Sequence, residues 1–194
     1  MLKTLPPYTL AILTEDEIKT LATLAIQTYS ETYPNYYTDE AFDSLFGKNY
    51  VEQQVPNEMM NKDFLYFTLK VNNTMVGYAK LIFNPKTSVV LLDKLYVLKK
   101  EQGKGYGSRL LNACYQEAEN RDCSELHLKV WDKNEKALDF YQKHGLALKG
   151  DPIPYHNPDG SASSEFDHLM TYTIYEQPIH DASKDKSRAS TPSM

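Results

Sequence analysis

Leu92-Asp93-Lys94-Leu95-Tyr96-Val97-Leu98-Lys99-Lys100-Glu101-Gln102-Gly103-Lys104-Gly105-Tyr106-Gly107-Ser108 reads as a buried strand that ends near Val97 and runs, through a polar loop, into a helix opened by glycines. The first N–H groups of a helix have no intrahelical partner and carry partial positive charge. Glycine lets that backbone approach a bulky anion with no Cβ in the way. The local chemistry is that of a diphosphate site. The triphosphate pattern GxxxxGK[ST] is absent, and GxGxxG fails because Gly103 and Gly105 are followed by Ser108 where its third glycine belongs. The unit also follows several strands instead of opening the first βα turn, which weakens a dinucleotide reading.

Working outward, residues 64–71, the Asn72-Asn73 turn and residues 75–83 read as an antiparallel hairpin, followed by a third β run over 89–98. Residues 8–13 form a short strand. Thr14 and Glu17 then make a capping box for a helix carrying Ile18, Leu21, Ala22, Ala25 and Ile26 to about Tyr29. Thr38-Asp39-Glu40 restarts a helix after Pro34, and Gly47 divides it from another that reaches about Asn61. Downstream come a helix over 107–119, a strand over 125–131, a helix over 134–144 closed by Gly145, and a last strand over 166–175. Residues 151–164, with three prolines and Gly160, read as a long surface loop. The order predicts an α/β fold, a mixed sheet with helices on both faces. The strands flanking the glycine-opened helix are parallel, because a helical crossover joins them.

Composition sets the frame. The 194 residues suit one domain over 1–175, with a polar tail over 176–194 that reads as disordered. A net charge of −5 argues against a nucleic-acid partner. The two cysteines, Cys114 and Cys123, form no CxxC pair and no disulfide framework, and no metal site is expected. The N-terminus lacks a signal-peptide core and no apolar run is long enough to span a membrane, so a cytoplasmic protein with no membrane partner is expected.

A second motif accompanies the first: Val130, Asn134, Ala137, Phe140, Tyr141 and Gly145, with Leu146 after it. Together with Gln102, Gly105 and Gly107 it resembles the two signature regions of the GNAT superfamily of N-acetyltransferases, Q/R-x-x-G-x-G/A and V-x-x-x-N-x-x-A-x-x-F-Y-x-x-x-G-F. The resemblance covers residues 8–175 and implies the GNAT acyl-CoA N-acyltransferase fold, with two parallel strands splayed apart. It implies acetyl-CoA as acetyl donor and a small amine as acceptor. Leu95, Tyr96 and Val97 would then contact the pantetheine arm and the acetyl carbonyl, a form of strand addition. Gln102 belongs to the same signature. Backbone amides of Gly103, Lys104, Gly105, Tyr106, Gly107 and Ser108 would hold the pyrophosphate, Asn134 would fix the cofactor, and Lys143 would reach its phosphates.

The resemblance also makes Tyr141 the proton donor to the leaving thiolate; packing on the inner face of its helix is the other reading. The base is less defined. Strand alternation puts Asp93 on the same face as Leu95 and Val97, while some relatives carry a glutamate at the position of Leu91. Asp93 could equally form an ion pair, with a water chain as base.

In this superfamily the first two helices and the loop before the last strand form the acceptor wall. Here they carry Glu15, Asp16, Glu31, Asp39, Glu40 and Asp43 among Tyr29, Tyr33, Tyr36 and Tyr37. Carboxylates with aromatic faces suit a cation, although four of those acids sit where acids stabilise helix starts. The stretch from Ile26 to Tyr33, the Tyr37-Thr38-Asp39-Glu40 start and Asp167-His168-Leu169-Met170 are similar to the bacterial spermidine/spermine (PaiA-like) branch. That similarity implies a polyamine or related primary amine held by Glu31, Tyr33 and Tyr37. A protein N-terminus or lysine as acceptor, and a catalytically weak acetyl-CoA-binding regulator, are the alternatives. A homodimer is compatible with the sequence.

Overall fold

The computed structural model describes residues 7–34, 46–156 and 162–175, with side chains omitted from His156 to Ser163. The helix start at Thr38-Asp39-Glu40, the expected acceptor residue Tyr37 and the tail over 176–194 lie outside the described residues.

Strand β1 (Tyr8–Ile12) leads through a turn at Glu15–Glu17 into α1 (Ile18–Thr32). The capping box forms: the Thr14 N–H donates to the Glu17 carboxylate at 3.2 Å, and the Thr14 side chain accepts the Glu17 N–H in return. A wide helical turn, Tyr50–Gln54, feeds the short α2 (Val55–Met60). Strands β2 (Phe64–Val71), β3 (Thr74–Phe83) and β4 (Val89–Val97) follow as a meander, and Asn72 and Asn73 take the left-handed conformation that the tight β2–β3 turn requires. Then come α3 (Tyr106–Asn120), β5 (Glu125–Trp131) and α4 (Glu135–Lys143). The chain ends in β6 (Ala147–Leu148), β7 (Ile153–His156) and β8 (Ala162–Thr173).

The sheet order is β1-β2-β3-β4-β5-β8-β6, with β7 also on β8. Among the described residues only β4 and β5 pair in parallel, as the α3 crossover dictates. The long loop expected over 151–164 is corrected: Ile153 pairs with Asp167 and Pro154 with Phe166, so β8 starts earlier and β7 is an edge strand. Pro154 is tolerated there because an edge strand needs no N–H on its free side.

Helix α1 packs on one face of the sheet and α3 on the other. The α3 face is aliphatic: Leu110, Leu111, Leu126 and Leu128 are all fully buried. The α1 face is aromatic, with Tyr78 stacked on Tyr96 at 5.7 Å and Tyr29 at 5.3 Å from Tyr96. Among the described residues no helix is long and apolar enough to cross a membrane, and no group of His, Cys, Asp and Glu is placed to hold a metal.

Two irregularities place the site. Strands β4 and β5 pair only at Val89–Glu125, Val90–Leu126 and Leu91–His127. Beyond Leu91, β4 stays on β3 while β5 stays on β8, so the parallel strands part company. The second irregularity is a bulge: Leu92 pairs with Leu81 and Lys94 with Lys80, leaving Asp93 as the extra residue. The extra residue breaks the alternation, and Asp93 turns to the α1 face with Lys80, Lys94 and Tyr96. The expectation that it shares a face with Leu95 and Val97 is corrected by that bulge.

Candidate active site

The α3 side of the gap is built from main chain. Gly103 and Gly105 have φ of +73° and +80°, and a Cβ at either would meet nothing within 4 Å. Their absent side chains leave open space before the first turn of α3, and their backbone occupies a region L-residues avoid. Gly107 serves another purpose, because a Cβ there would lie 3.3 Å from the Phe140 ring and push α4 away. The Gln102 amide donates to the Val97 carbonyl at 3.0 Å, which braces the loop against the end of β4. Lys104 pairs with Glu101 at 2.8 Å. Tyr106 is buried against Tyr8, so only its backbone faces the open end of α3.

Helix α4 closes on this turn. Asn134 is its N-cap, accepting the Ala137 N–H at 3.3 Å. His144 bonds the Phe140 carbonyl through Nδ1 and Ser108 Oγ through Nε2, both at 2.7 Å. A carbonyl can only accept, so Nδ1 donates and, in the neutral ring, Nε2 accepts from Ser108. Lys143 lies exposed in the last turn of α4, next in sequence to that contact. Leu95 and Tyr96 are half-buried and Val97 is buried on the unpaired length of β4.

Tyr141 is 9% exposed. Burial, followed by the proximity of Cys114, Tyr33 and Tyr115, pushes its phenol well above the usual range. Cys114 lies on α3 and Tyr33 at the C-terminal end of α1. The Tyr141 phenol stays protonated at neutral pH, the state a proton donor needs.

On the α1 face the gap opens into a cleft of about 280 Å³. Tyr29 and Tyr33 come from α1, and Asp93, Lys94 and Tyr96 from β4. Lys129 and Trp131 of β5, Tyr155 of β7 and Asp167 of β8 complete the lining. Tyr33 lies 5.8 Å from Trp131, ring to ring. Burial raises the phenol pKa of Tyr33, opposed by hydrogen bonds with Tyr96 and Asn134. The Tyr155 hydroxyl donates to Asp167 at 2.7 Å.

Behind the cleft lies an ion network in which Asp93 makes the ion pair that the sequence left open, with Lys80 and Glu58 as partners that the sequence did not suggest. Lys80, 6% exposed in the middle of β3, reaches Glu58 at 2.9 Å and Asp93 at 3.4 Å. Tyr66 donates to the other Glu58 oxygen, and Lys94 lies 3.4 Å from Asp93. A buried charge survives only when paired and hydrogen-bonded, and these groups satisfy one another while fixing Asp93. The one signal in the sequence is a lysine inside an otherwise apolar strand.

Of the expected acceptor residues, the cleft takes Tyr33 but not Glu31. The Glu31 carboxylate accepts the Lys99 N–H at 2.7 Å and the Gln27 amide at 2.9 Å, tying α1 to the loop that precedes α3. In this arrangement Glu31 acts as a brace between α1 and that loop. Glu15 and Asp16 stay in the turn before α1 and do not line the cleft.

The model of the Acetyltransferase (GNAT) family matches residues 21–146. A spermidine N(1)-acetyltransferase of Thermoplasma acidophilum is 23% identical over 138 residues, covering 69% of this chain and 84% of that protein. A thialysine N-epsilon-acetyltransferase of Bos taurus is 32% identical over 74 residues, covering 37% of this chain and 44% of that protein. Among solved structures, the PaiA N-acetyltransferase of Thermoplasma acidophilum in complex with coenzyme A superposes with a TM-score of 0.70 at 20% identity, over 86% of this chain and 99% of that one. With splayed parallel strands, a glycine-opened helix beside them and a family match across most of the described sheet, the chain belongs to the GNAT acetyltransferase family and uses acetyl-CoA as its acetyl donor.

Proposed function

We propose that the chain acetylates the primary amine of a small molecule bound in the α1-face cleft. The observation that carries this reading is the continuity of the cleft with the gap between β4 and β5, since Asp93, Lys94 and Tyr96 of one strand and Lys129 and Trp131 of the other line it. On the donor side the backbone N–H groups from Gly103 to Ser108 hold the pyrophosphate, the unpaired edge of β4 at Leu95, Tyr96 and Val97 holds the pantetheine, and Lys143 reaches the phosphates. Asn134 braces that end by capping α4. Acetyl-CoA supplies an activated acyl carbon.

The protein must deliver a neutral amine to it. An alkylammonium has a pKa near 10.4, and enclosure by Tyr29, Tyr33, Tyr96 and Trp131 strips water from it and favours the neutral form. Asp93, held by Lys80 and Lys94, is the carboxylate on β4 that faces the entering amine and receives its proton. Tyr141 gives its own proton to the departing thiolate and regains one from solvent.

Two substrate classes follow from the relatives: polyamines from the spermidine enzyme, and amino acids with an amine on the side chain from the thialysine enzyme. Tyr155 closes one side of the cleft, which favours a compact acceptor over an extended peptide. The test is thiol release from acetyl-CoA against polyamines, amino acids, aminoglycosides and short peptides. Turnover confined to small primary amines supports the reading. Turnover of peptides alone replaces it with protein acetylation, and tight acetyl-CoA binding with no turnover replaces it with a binding regulator.

A further inference from the structure

Resting on the placement of the pyrophosphate at the start of α3, we infer that His144 is a positioning residue for the donor. Its protonation turns the Ser108 hydroxyl toward the pyrophosphate, so acetyl-CoA binding takes up a proton. Ser108 stands in the first turn of α3. The Arg109 N–H already bonds the Gly105 carbonyl at 3.2 Å, so the N–H groups before it, that of Ser108 included, are the ones free for an anion. Helix side chains lean toward the N-terminus, which brings the Ser108 hydroxyl to the same end. His144 decides which way that hydroxyl donates.

In the neutral ring the Phe140 carbonyl takes the Nδ1 proton and Nε2 accepts from Ser108. The hydroxyl hydrogen then points at α4, and its oxygen offers an anion only lone pairs. An imidazolium donates from both nitrogens. The Nδ1 bond is unchanged, the Ser108 oxygen becomes the acceptor, and its hydrogen is released toward a phosphate oxygen. Protonation reverses one bond and breaks none. The place of His144 at the C-terminus of α4 also favours the positive ring. Its packed neighbours, however, supply no negative charge. On α3 they are Ser108 and Tyr115, whose hydroxyl donates to the His144 carbonyl at 3.2 Å. On α4 they are Phe140, with its ring at 4.3 Å, and the cation Lys143, while β8 brings the Tyr172 ring, stacked on Tyr115. Glu101, in the loop before α3, is taken by Lys104, and the Arg109 guanidinium lies over the Tyr8 ring. Among the described residues no carboxylate pairs with His144. Lys143 and the positive end of α3 therefore oppose the imidazolium until an anion binds. The pyrophosphate is that anion. By linkage, affinity rises as pH falls through the range in which an imidazole gains its charge.

The experiment titrates the full-length protein with 3′-dephospho-coenzyme A by calorimetry, from about pH 8 down to about pH 6. That probe keeps the pyrophosphate and lacks the 3′-phosphate, a monoester that titrates in the same range. The wild-type protein should bind it at least about fivefold more tightly at the lower pH, in keeping with one added hydrogen bond to a charged group. Heats measured in buffers of different ionisation enthalpy should show net proton uptake. His144→Gln keeps a donor that cannot titrate, and Ser108→Ala keeps the imidazole without the hydroxyl. Each should reduce the pH effect to less than about twofold. Wild-type affinity that is flat or falls on acidification, or a pH effect that survives in either variant, overturns the inference. Its survival in Ser108→Ala alone would assign the effect to the charge of the ring and not to the hydroxyl. Gly105→Glu in the same titration separates this failure from that of the premise: undiminished binding there would place the pyrophosphate elsewhere. Thermal melts at both pH values check that the variants are folded.

Discussion

The two sides of the gap between β4 and β5 are built from different parts of the chain. On the α3 side, the groups facing the open space are main-chain N–H groups freed by Gly103 and Gly105, within one short stretch of sequence. On the α1 side, the facing groups are side chains from α1, β4, β5, β7 and β8, spread from Tyr29 to Asp167. A ligand held by backbone needs a local conformation, and a local conformation leaves a local pattern of glycines. A ligand held by side chains needs only that distant residues meet, and nothing in the spacing of Tyr33, Asp93, Lys129 and Asp167 announces that they do. The first arrangement suits a donor shared by a whole family. The second can be changed one side chain at a time.

If that contrast is right, the α3 side should fail all at once. Gly105→Glu forces a φ near +80° on a side-chain-bearing residue, and it sets a negative charge at the proposed pyrophosphate site. Because a Cβ there meets no atom, the loss is conformational and electrostatic and does not come from packing. The expected outcome is about a thousand-fold weaker acetyl-CoA binding, about 4 kcal/mol, by titration calorimetry. Gly105→Ala keeps the strain without the charge and should lose less. Affinity within threefold of wild type in Gly105→Glu would move the donor site elsewhere.

Tyr141 belongs to neither side alone, and its substitution should separate binding from chemistry. Tyr141→Phe removes the phenol proton and leaves the ring. We expect kcat to fall about 100-fold, the size of effect one proton donor gives, with acetyl-CoA affinity within twofold of wild type. Equal falls in affinity and kcat would instead make the phenol a packing element between α4 and the gap.

How far each side could be read beforehand follows from the same contrast. Gln102, Gly105, Gly107, Asn134 and Tyr141 stand at fixed spacings within two segments, and the fold they imply is the one observed. Asp93 was readable as a strand residue but not as a bulge, because the extra residue exists only in register with Lys80 and Leu81. Glu31 lies on the helix that forms the cleft wall, yet the Lys99 N–H captures it, a choice made by a residue far along the chain. Strand β7 was hidden by Pro152 and Pro154, which mark a loop locally and an edge strand only once β8 is beside them. Lys80 stands out only as a lysine inside an apolar strand, and Glu58 signals burial only through its partners.

The smallest expected effect tests whether the cleft wall can be loosened by itself. Glu17 joins α1 to the sheet: its carboxylate accepts from Thr14 and pairs with Lys70 of β2. Burial opposes its ionisation, but the Lys70 contact and the Thr14 N–H outweigh burial and hold the pKa below the usual carboxylate value. A depressed folded-state pKa means that the stabilisation is complete above the unfolded pKa and is lost as pH falls through the folded one. Glu17→Gln should therefore cost about 1 kcal/mol at pH 7, the usual worth of a helix cap, and the gap from wild type should close below about pH 4. Urea unfolding at both pH values measures it. Hydrogen exchange locates it: amides of α1 should open faster in the variant while those at the start of α3 keep their protection. Faster exchange on both sides would show that the two walls of the gap move as one body, and the contrast between them would then be one of construction and not of stability.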